Sequence, residues 1–177
     1  KEGTFPGPGA YQSQESPYYS WYTFYNYPNA YHSWWDFDTL PTVNKMDPAF
    51  IDYIITGDDI VVAHWLSLGA DGFRLDVADE LPDAFIALLK KRIRAIKPDA
   101  LLMGEVWEDA SNKIAYGRRC RYFVDGCLDS VMNYPFRTAI LNFLKDRDDG
   151  RNFKETVMTI LENYPPQVLQ CNMNLLG

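Results

Sequence analysis

The sequence is short of cysteine, histidine and positive charge, and it has no long apolar run. Three cysteines, Cys120, Cys127 and Cys171, form an odd set with neither a CxxC pair nor a metal-ligand spacing, which excludes a zinc module and a disulfide framework. Cys120 and Cys127 can pair only where a loop brings them together, and reduced thiols are the simpler state. The two histidines, His32 and His64, stand alone, and no metal site is read from them. Lys and Arg number 17 against 24 Asp and Glu, a net charge of −7. That balance excludes nucleic acid and an anionic membrane surface as partners, because both require clustered cations; a neutral ligand fits it. No stretch approaches the roughly 20 apolar residues that span a bilayer. The start, Lys1-Glu2-Gly3-Thr4, has neither the apolar core of a signal peptide nor an initiator Met, so the expectation is a chain excised from a longer one.

What is present is apolar and aromatic. Of the 177 residues, 47% are apolar and 15% aromatic, enough for a packed core. Tyr11, Tyr18, Tyr19, Trp21, Tyr22, Phe24, Tyr25, Tyr27, Tyr31, Trp34 and Trp35 crowd the first third among Pro and Ser. Such a stretch either stacks on sugar rings or packs on its own domain. Residues 1 to about 44 carry no sustained period and read as an irregular, loop-dominated subdomain. Regular structure begins at Asp47-Pro48, an N-cap followed by Pro at the first helical position, with Phe50, Ile51, Ile54 and Ile55 as an apolar stripe up to Gly57. A second helix, headed by Asp58 and Asp59, ends at Gly69.

Two short apolar segments ending in carboxylates carry the chemistry. In Gly72 to Val77, Arg74 and Asp76 share one face while Phe73, Leu75 and Val77 share the other. A helix over Pro82 to Ile96 presents Phe85, Ile86, Leu88, Leu89, Ile93 and Ile96 inward. The strand from Leu101 then puts Leu101, Met103 and Glu105 on one face. Beyond a loop over about 108 to 126 come a strand over 127–133, helices over 135–144 and 152–163, and a final strand over 168–176. Alternation of this kind predicts a parallel sheet with right-handed crossovers. No Gly-rich turn follows a first strand, so a barrel segment is preferred over a dinucleotide-binding sheet. Two acids at the C-terminal ends of neighbouring barrel strands are what glycoside cleavage requires, one to protonate the leaving oxygen and one to attack the sugar carbon. A nucleophile must stay ionised, which a neighbouring guanidinium favours, while an acid must hold its proton, which calls for a drier setting. A buried ion pair without a catalytic role is the competing reading of Arg74 and Asp76.

At these residues the chain resembles the α-amylase superfamily, glycoside hydrolase family 13, in its neopullulanase, cyclomaltodextrinase and maltogenic amylase branch. The matching motifs are Gly72-Phe73-Arg74-Leu75-Asp76-Val77-Ala78-Asp79-Glu80 and Gly104-Glu105-Val106-Trp107-Glu108-Asp109-Ala110. Leu40-Pro41-Thr42-Val43-Asn44 and Asp129-Ser130-Val131-Met132-Asn133-Tyr134-Pro135-Phe136 support them in order. The resemblance implies an α/β fold, a partial (β/α)8 TIM barrel of about strands 4 to 7 with their helices, preceded by the end of an inserted loop subdomain over residues 1–44. It implies Asp76 as nucleophile, Glu105 as general acid/base and Arg74 beside Asp76, in a retaining hydrolase of α-linked glucans or oligosaccharides. A transglycosylase and a non-catalytic glucan-binding or scaffold relative are the alternatives. Glu80, Trp107 and Glu108 would lie near acceptor-side sugars, and Asn44 and His32 are further candidates for substrate contact; rim or solvated roles compete for each. No cofactor is implied, and the acidic run at 146–149 lacks calcium-ligand spacing and reads as a solvated turn. The family's His-Asp pair after the seventh strand and its Asp-x-x-x-x-His motif after the third have no counterpart here. The expectation is therefore the middle of a catalytic domain, inactive alone and prone to self-association through uncovered sheet edges.

Overall fold

The computed structural model describes residues 7–58, 60–124 and 126–176. Two compact units succeed each other along the chain, Lys1–Val62 and Ala63–Gly177.

The first unit is built from short elements and rings. A 3-10 turn over Tyr19–Trp21 leads into β1 (Phe24–Asn26), which pairs antiparallel with β2 (Ala30–Tyr31). Single bridges join Tyr22 to Val43 and Ser33 to Pro41. The aromatic run packs on itself: Tyr19 stacks on Phe24 at 5.2 Å between ring centroids, and Trp21 meets Phe50 and Tyr53 at 5.3 Å. Helix α1 (Pro48–Ile51) starts where the cap predicts, with the Asp47 carboxylate accepting from the amides of Ala49 and Phe50 at 2.9 and 3.0 Å. One wider turn over Asp52–Thr56 follows, closed by the Gly57 amide on the Asp52 carbonyl. Helix α2 (Val61–Ser67) carries the chain onward. It stops at Gly69, whose φ of +101° lets the Ala70 amide reach back to the Trp65 carbonyl, the C-terminal device that glycine permits without a Cβ clash. Of the pair expected to head this helix, Asp59 lies outside the described residues.

The second unit holds the parallel sheet. Gly72 opens β3 (Gly72–Leu75) at φ +153°, where an added Cβ would fall 2.0 Å from the Leu101 carbonyl oxygen. Helix α3 (Asp83–Ile96) returns the chain to β4 (Leu101–Gly104), which pairs parallel with β3 from Gly72 opposite Leu101 to Leu75 opposite Gly104. The region expected as a plain loop contains a hairpin, β5 (Ile114–Ala115) with β6 (Arg118–Arg119), turned by Tyr116 and Gly117 at φ +52° and +73°, the two positive φ values of a tight I′ turn. The third parallel strand, β7 (Ser130–Val131), joins β4 on its other side.

Helices α4 (Tyr134–Leu144) and α5 (Gly150–Asn163) follow, capped by the side chains of Asn133 and Asp149. The final segment departs from expectation. Pro166–Cys171 is helix α6, not strand, and only Met173 bridges to the sheet, beside Met132. Pro165 and Pro166 explain this, since Pro at the first helical position is preset for a turn and lacks a strand donor. The core lies between α3 and the sheet, where Ile86, Ile93, Ala100 and Leu102 are fully buried. Three parallel strands, with α3 between the first two, the β5 and β6 hairpin between the next two, and α4 to α6 leading to a fourth position marked by Met173, make this a part of a (β/α)8 barrel. Among the described residues no helix is long and apolar enough to cross a membrane.

Candidate active site

The C-terminal ends of β3 and β4 lie one register step beyond the Leu75 and Gly104 pair, which brings Asp76 and Glu105 to neighbouring positions on strands roughly 4.8 Å apart. One guanidinium joins them. Arg74 Nη1 donates to Asp76 Oδ1, and Nη2 donates to Glu105 Oε2 at 3.0 Å. Arg74 Nε meets the Met132 sulfur at 3.4 Å. The predicted shared face of Arg74 and Asp76 is what makes this clamp, because side chains two apart on a strand emerge on the same side.

The two carboxyls have different surroundings. The Asp76 side chain is 77% exposed, whereas Glu105 is 8% exposed. Glu105 Oε2 also accepts from the Val77 amide at 2.9 Å, while Oε1 accepts from Trp107 Nε1 at 3.0 Å and from the Tyr134 hydroxyl at 3.2 Å. Burial pushes the Glu105 carboxyl up, but the Trp107 and Val77 donors and the Arg74 charge outweigh it and hold the carboxyl below its ordinary range. The drier setting expected of an acid is present, and the Trp107 and Val77 donors with the Arg74 charge overrule it in the free protein. Val77 pays a conformational cost for its part: it sits at φ +39°, ψ +65°, a region that β-branched residues avoid and that marks functional strain.

A polar lattice fixes the segment after Asp76. Asp79 accepts from the Tyr122 hydroxyl at 2.6 Å and from Lys113 at 2.9 Å, and Lys113 also pairs with Glu108. Burial, with Asp79 beside it, pushes the Tyr122 hydroxyl up. Glu80 accepts from Tyr116 at the hairpin tip, and Asp83 from Arg118 at 3.1 Å. These contacts tie the β5 and β6 hairpin to the turn that follows the first acid.

Of the sequence candidates, Arg74, Asp76, Glu105 and Trp107 come together in one cluster. Glu80 and Glu108 are engaged by Tyr116 and Lys113. His32 and Asn44 lie in the first unit, where His32 Nδ1 bonds the Tyr25 hydroxyl at 2.9 Å and Asn44 accepts from the Met46 amide at 3.3 Å. Sequence reasoning missed Tyr134 and the Val77 amide. Tyr134 was visible as the residue after Asn133 at the close of the third strand, yet strand parity says nothing about a side chain that returns from a helix start. Among the described residues no cluster of three His, Cys, Asp or Glu is placed to hold a metal ion.

A carboxylate pair joined by one arginine at the C-terminal ends of parallel strands lies where (β/α) barrels carry their functional residues. The chain belongs to the α-amylase family: the profile described as alpha amylase, catalytic domain, matches residues 7–174. Amylopullulanase of Thermoanaerobacter thermohydrosulfuricus is 33% identical over 96% of this chain and 13% of its own length. Cyclomaltodextrinase of Geobacillus thermopakistaniensis is 30% identical over 92% of this chain and 27% of its own. The crystal structure of Ttha1563 from Thermus thermophilus superposes with a TM-score of 0.79 at 28% identity, covering 95% of this chain and 39% of that one. The chain thus spans well under half the length of these relatives.

Proposed function

We propose that this chain is the central part of the catalytic barrel of a retaining α-glucan hydrolase. Residues 45–177 belong to that barrel, and residues 1–44 to the end of a loop subdomain inserted in it. The observation that carries the reading is the single guanidinium shared by Asp76 and Glu105. Asp76 is the nucleophile. Its exposure leaves the carboxylate open to a sugar C1, and Arg74 orients it. Glu105 is the acid/base. In glycosylation the Glu105 proton passes to the glycosidic oxygen, the C1–O bond breaks with its electron pair staying on that oxygen, and Asp76 bonds to C1. In the second half Glu105 takes a proton from the incoming water as that water's oxygen bonds to C1 and the bond from C1 to Asp76 breaks, its electron pair returning to the carboxylate.

Amylopullulanase and cyclomaltodextrinase as relatives support α-linked glucans, linear or cyclic, as the substrate class. Trp107, 64% exposed beside Glu105, offers a stacking face for an acceptor-side ring. Glu80, Glu108, Asn44 and His32 are proposed as further sugar contacts. The unpaired side of β3 gives the isolated chain an edge through which copies associate, an association that sedimentation would reveal as species heavier than a monomer.

The test is release of reducing sugar from β-cyclodextrin, starch and pullulan by the full-length protein, its Glu105→Gln variant and this chain alone. Activity in the unaltered full-length protein alone supports the reading, and a fluorinated glucoside should label Asp76 covalently. A silent full-length protein would favour a non-catalytic relative.

A further inference from the structure

We propose that Tyr134 is a positioning residue for Glu105, its hydroxyl selecting Oε1 as the oxygen that carries the catalytic proton in the free enzyme. The proposal rests on the reading of Glu105 as acid/base. Four groups bond the carboxyl: the Val77 amide and Arg74 Nη2 at Oε2, the Trp107 indole and the Tyr134 hydroxyl at Oε1. A backbone N–H, a guanidinium and an indole N–H can only donate, whereas a hydroxyl both donates and accepts. When a carboxylate gains a proton, one acceptor becomes a donor and needs an acceptor of its own. At Oε2 that proton would face two donors, one of them cationic. At Oε1 it faces Tyr134, whose hydroxyl turns to accept while the indole keeps its bond to the remaining lone pair.

Position and protonation of Tyr134 agree with this role. It is the first residue of α4, directly after Asn133, whose side chain caps the helix and bonds Asn174 at 3.0 Å, so the ring is delivered from a fixed element. The Trp107 and Tyr134 rings lie 6.1 Å apart at 43°. Burial and the adjacent Glu105 charge raise the tyrosine above its ordinary range, so it keeps its own proton. The titratable and charged groups around the carboxyl are Arg74 and Asp76 at the end of β3 and Tyr134 on α4, with Arg137 acting on Tyr134. Asp76 is the other acceptor within reach: its Oδ1 takes Arg74 Nη1 on the guanidinium that also holds Oε2, and its carboxyl interacts with Glu105 directly, which makes it the competitor that the experiment separates from Tyr134. The glycosidic oxygen then receives the proton from Oε1, as its C1–O bond breaks and Asp76 bonds to C1. In the second half the attacking water gives a proton to the same oxygen as its own oxygen bonds to C1 and Asp76 leaves as the carboxylate.

The experiment is the pH profile of kcat/KM for β-cyclodextrin hydrolysis by the full-length enzyme, since its limbs report groups of the free enzyme. In Tyr134→Phe the carboxylate loses one of its donors and the neutral acid loses its acceptor, two losses that offset, so the basic limb moves far less than in Trp107→Phe. Trp107→Phe removes a group that only donates, and its basic limb moves to higher pH. Damage to the fold lowers amplitude without separating the two limbs. A Tyr134→Phe limb that rises as far as that of Trp107→Phe makes the hydroxyl a donor only and overturns the proposal, as does a Trp107→Phe limb that fails to rise. An unaltered enzyme that releases no sugar overturns the glycosidase reading and this with it; an active one with unmoved limbs overturns this alone.

Discussion

The two units of the molecule are stabilised by different physics. The first, to Val62, has strands of two or three residues, and its order comes from ring against ring, as in the Tyr19 and Phe24 stack and the Trp21 contacts. The second has a parallel sheet with an aliphatic layer, Ile86, Ile93 and Leu102, against it. Its polar groups are concentrated at the strand ends, where Arg74 joins Asp76 and Glu105. An aliphatic layer hides apolar surface completely, and it leaves the strand termini as the place where charges can be held in fixed geometry. An aromatic cluster keeps much of its surface in contact with solvent, so its rings remain available to ligand and structure alike.

The largest effect that sharpens this comparison is chemical. Glu105→Gln in the full-length protein keeps the shape of the side chain and removes its transferable proton, and turnover on β-cyclodextrin should fall by a factor of about 10² to 10⁴. A loss of under tenfold would move the acid role elsewhere. Packing comes next. Ile93→Ala should cost about 2–5 kcal/mol in urea unfolding of the full-length protein, from lost burial and the cavity left behind. Trp35→Ala in the first unit should stay within about 0.5 kcal/mol, because Trp35 is 67% exposed and stacks on its sequence neighbour Trp34 at the surface. Equal costs would erase the distinction between the units.

Much of the second unit was legible in the sequence, and the reason is periodicity. Alternation placed Arg74 and Asp76 on one face, and the apolar spacing of α3 placed Phe85, Ile86, Leu89 and Ile93 on its inner face, whereas Leu88 is half-buried and Ile96, expected inward too, is exposed at the helix end. Legibility stopped where regular dihedrals stopped. Val77 turns left-handed immediately after Asp76, so the predicted alternation ends one residue early and its amide swings onto Glu105. Tyr134 reaches Glu105 across 29 residues of chain from a helix start, a meeting no local pattern encodes. The predicted last strand became α6 because its apolar Val168 and Leu169 suit a helix turn as well as a strand, and Pro166 decides between them. In the first unit composition announced aromatic packing but not which rings would pair, since ring contacts follow no fixed spacing.

A smaller effect tests the strand-end charges. Asp129 receives the Leu102 amide at 2.8 Å and pairs with Lys90 and Arg94. Burial pushes its carboxyl up, but the Lys90 contact, the Leu102 amide and Arg94 outweigh it and hold it below the ordinary carboxylate range. Because the folded value is depressed, the stability it contributes is complete above the unfolded carboxylate value of roughly 4. It is lost as pH falls through the depressed folded value. Asp129→Asn should therefore lower stability at pH 7 by on the order of 1–3 kcal/mol and flatten the acid limb of stability against pH. An unchanged acid limb would show that the triad is decorative.

The smallest expected effect sets one helix cap in each unit against the other. Asp47 caps α1 through two amides, and Pro48 beside it has no N–H to satisfy, so Asp47→Ala should cost about 1 kcal/mol. Asp47→Asn keeps the acceptor and should recover most of that. Asn133 caps α4 through one longer bond to the Phe136 amide at 3.4 Å, but it also joins Asn174 at 3.0 Å. Its alanine variant should cost more than Asp47→Ala, because it removes both the α4 cap and the side-chain tie from a buried Asn133 to Asn174. The order of the two losses in thermal unfolding is the decisive reading. If Asp47→Ala costs more, the aromatic unit depends on its polar cap as much as on its rings, and the contrast between the two kinds of packing narrows to the strand ends around Glu105.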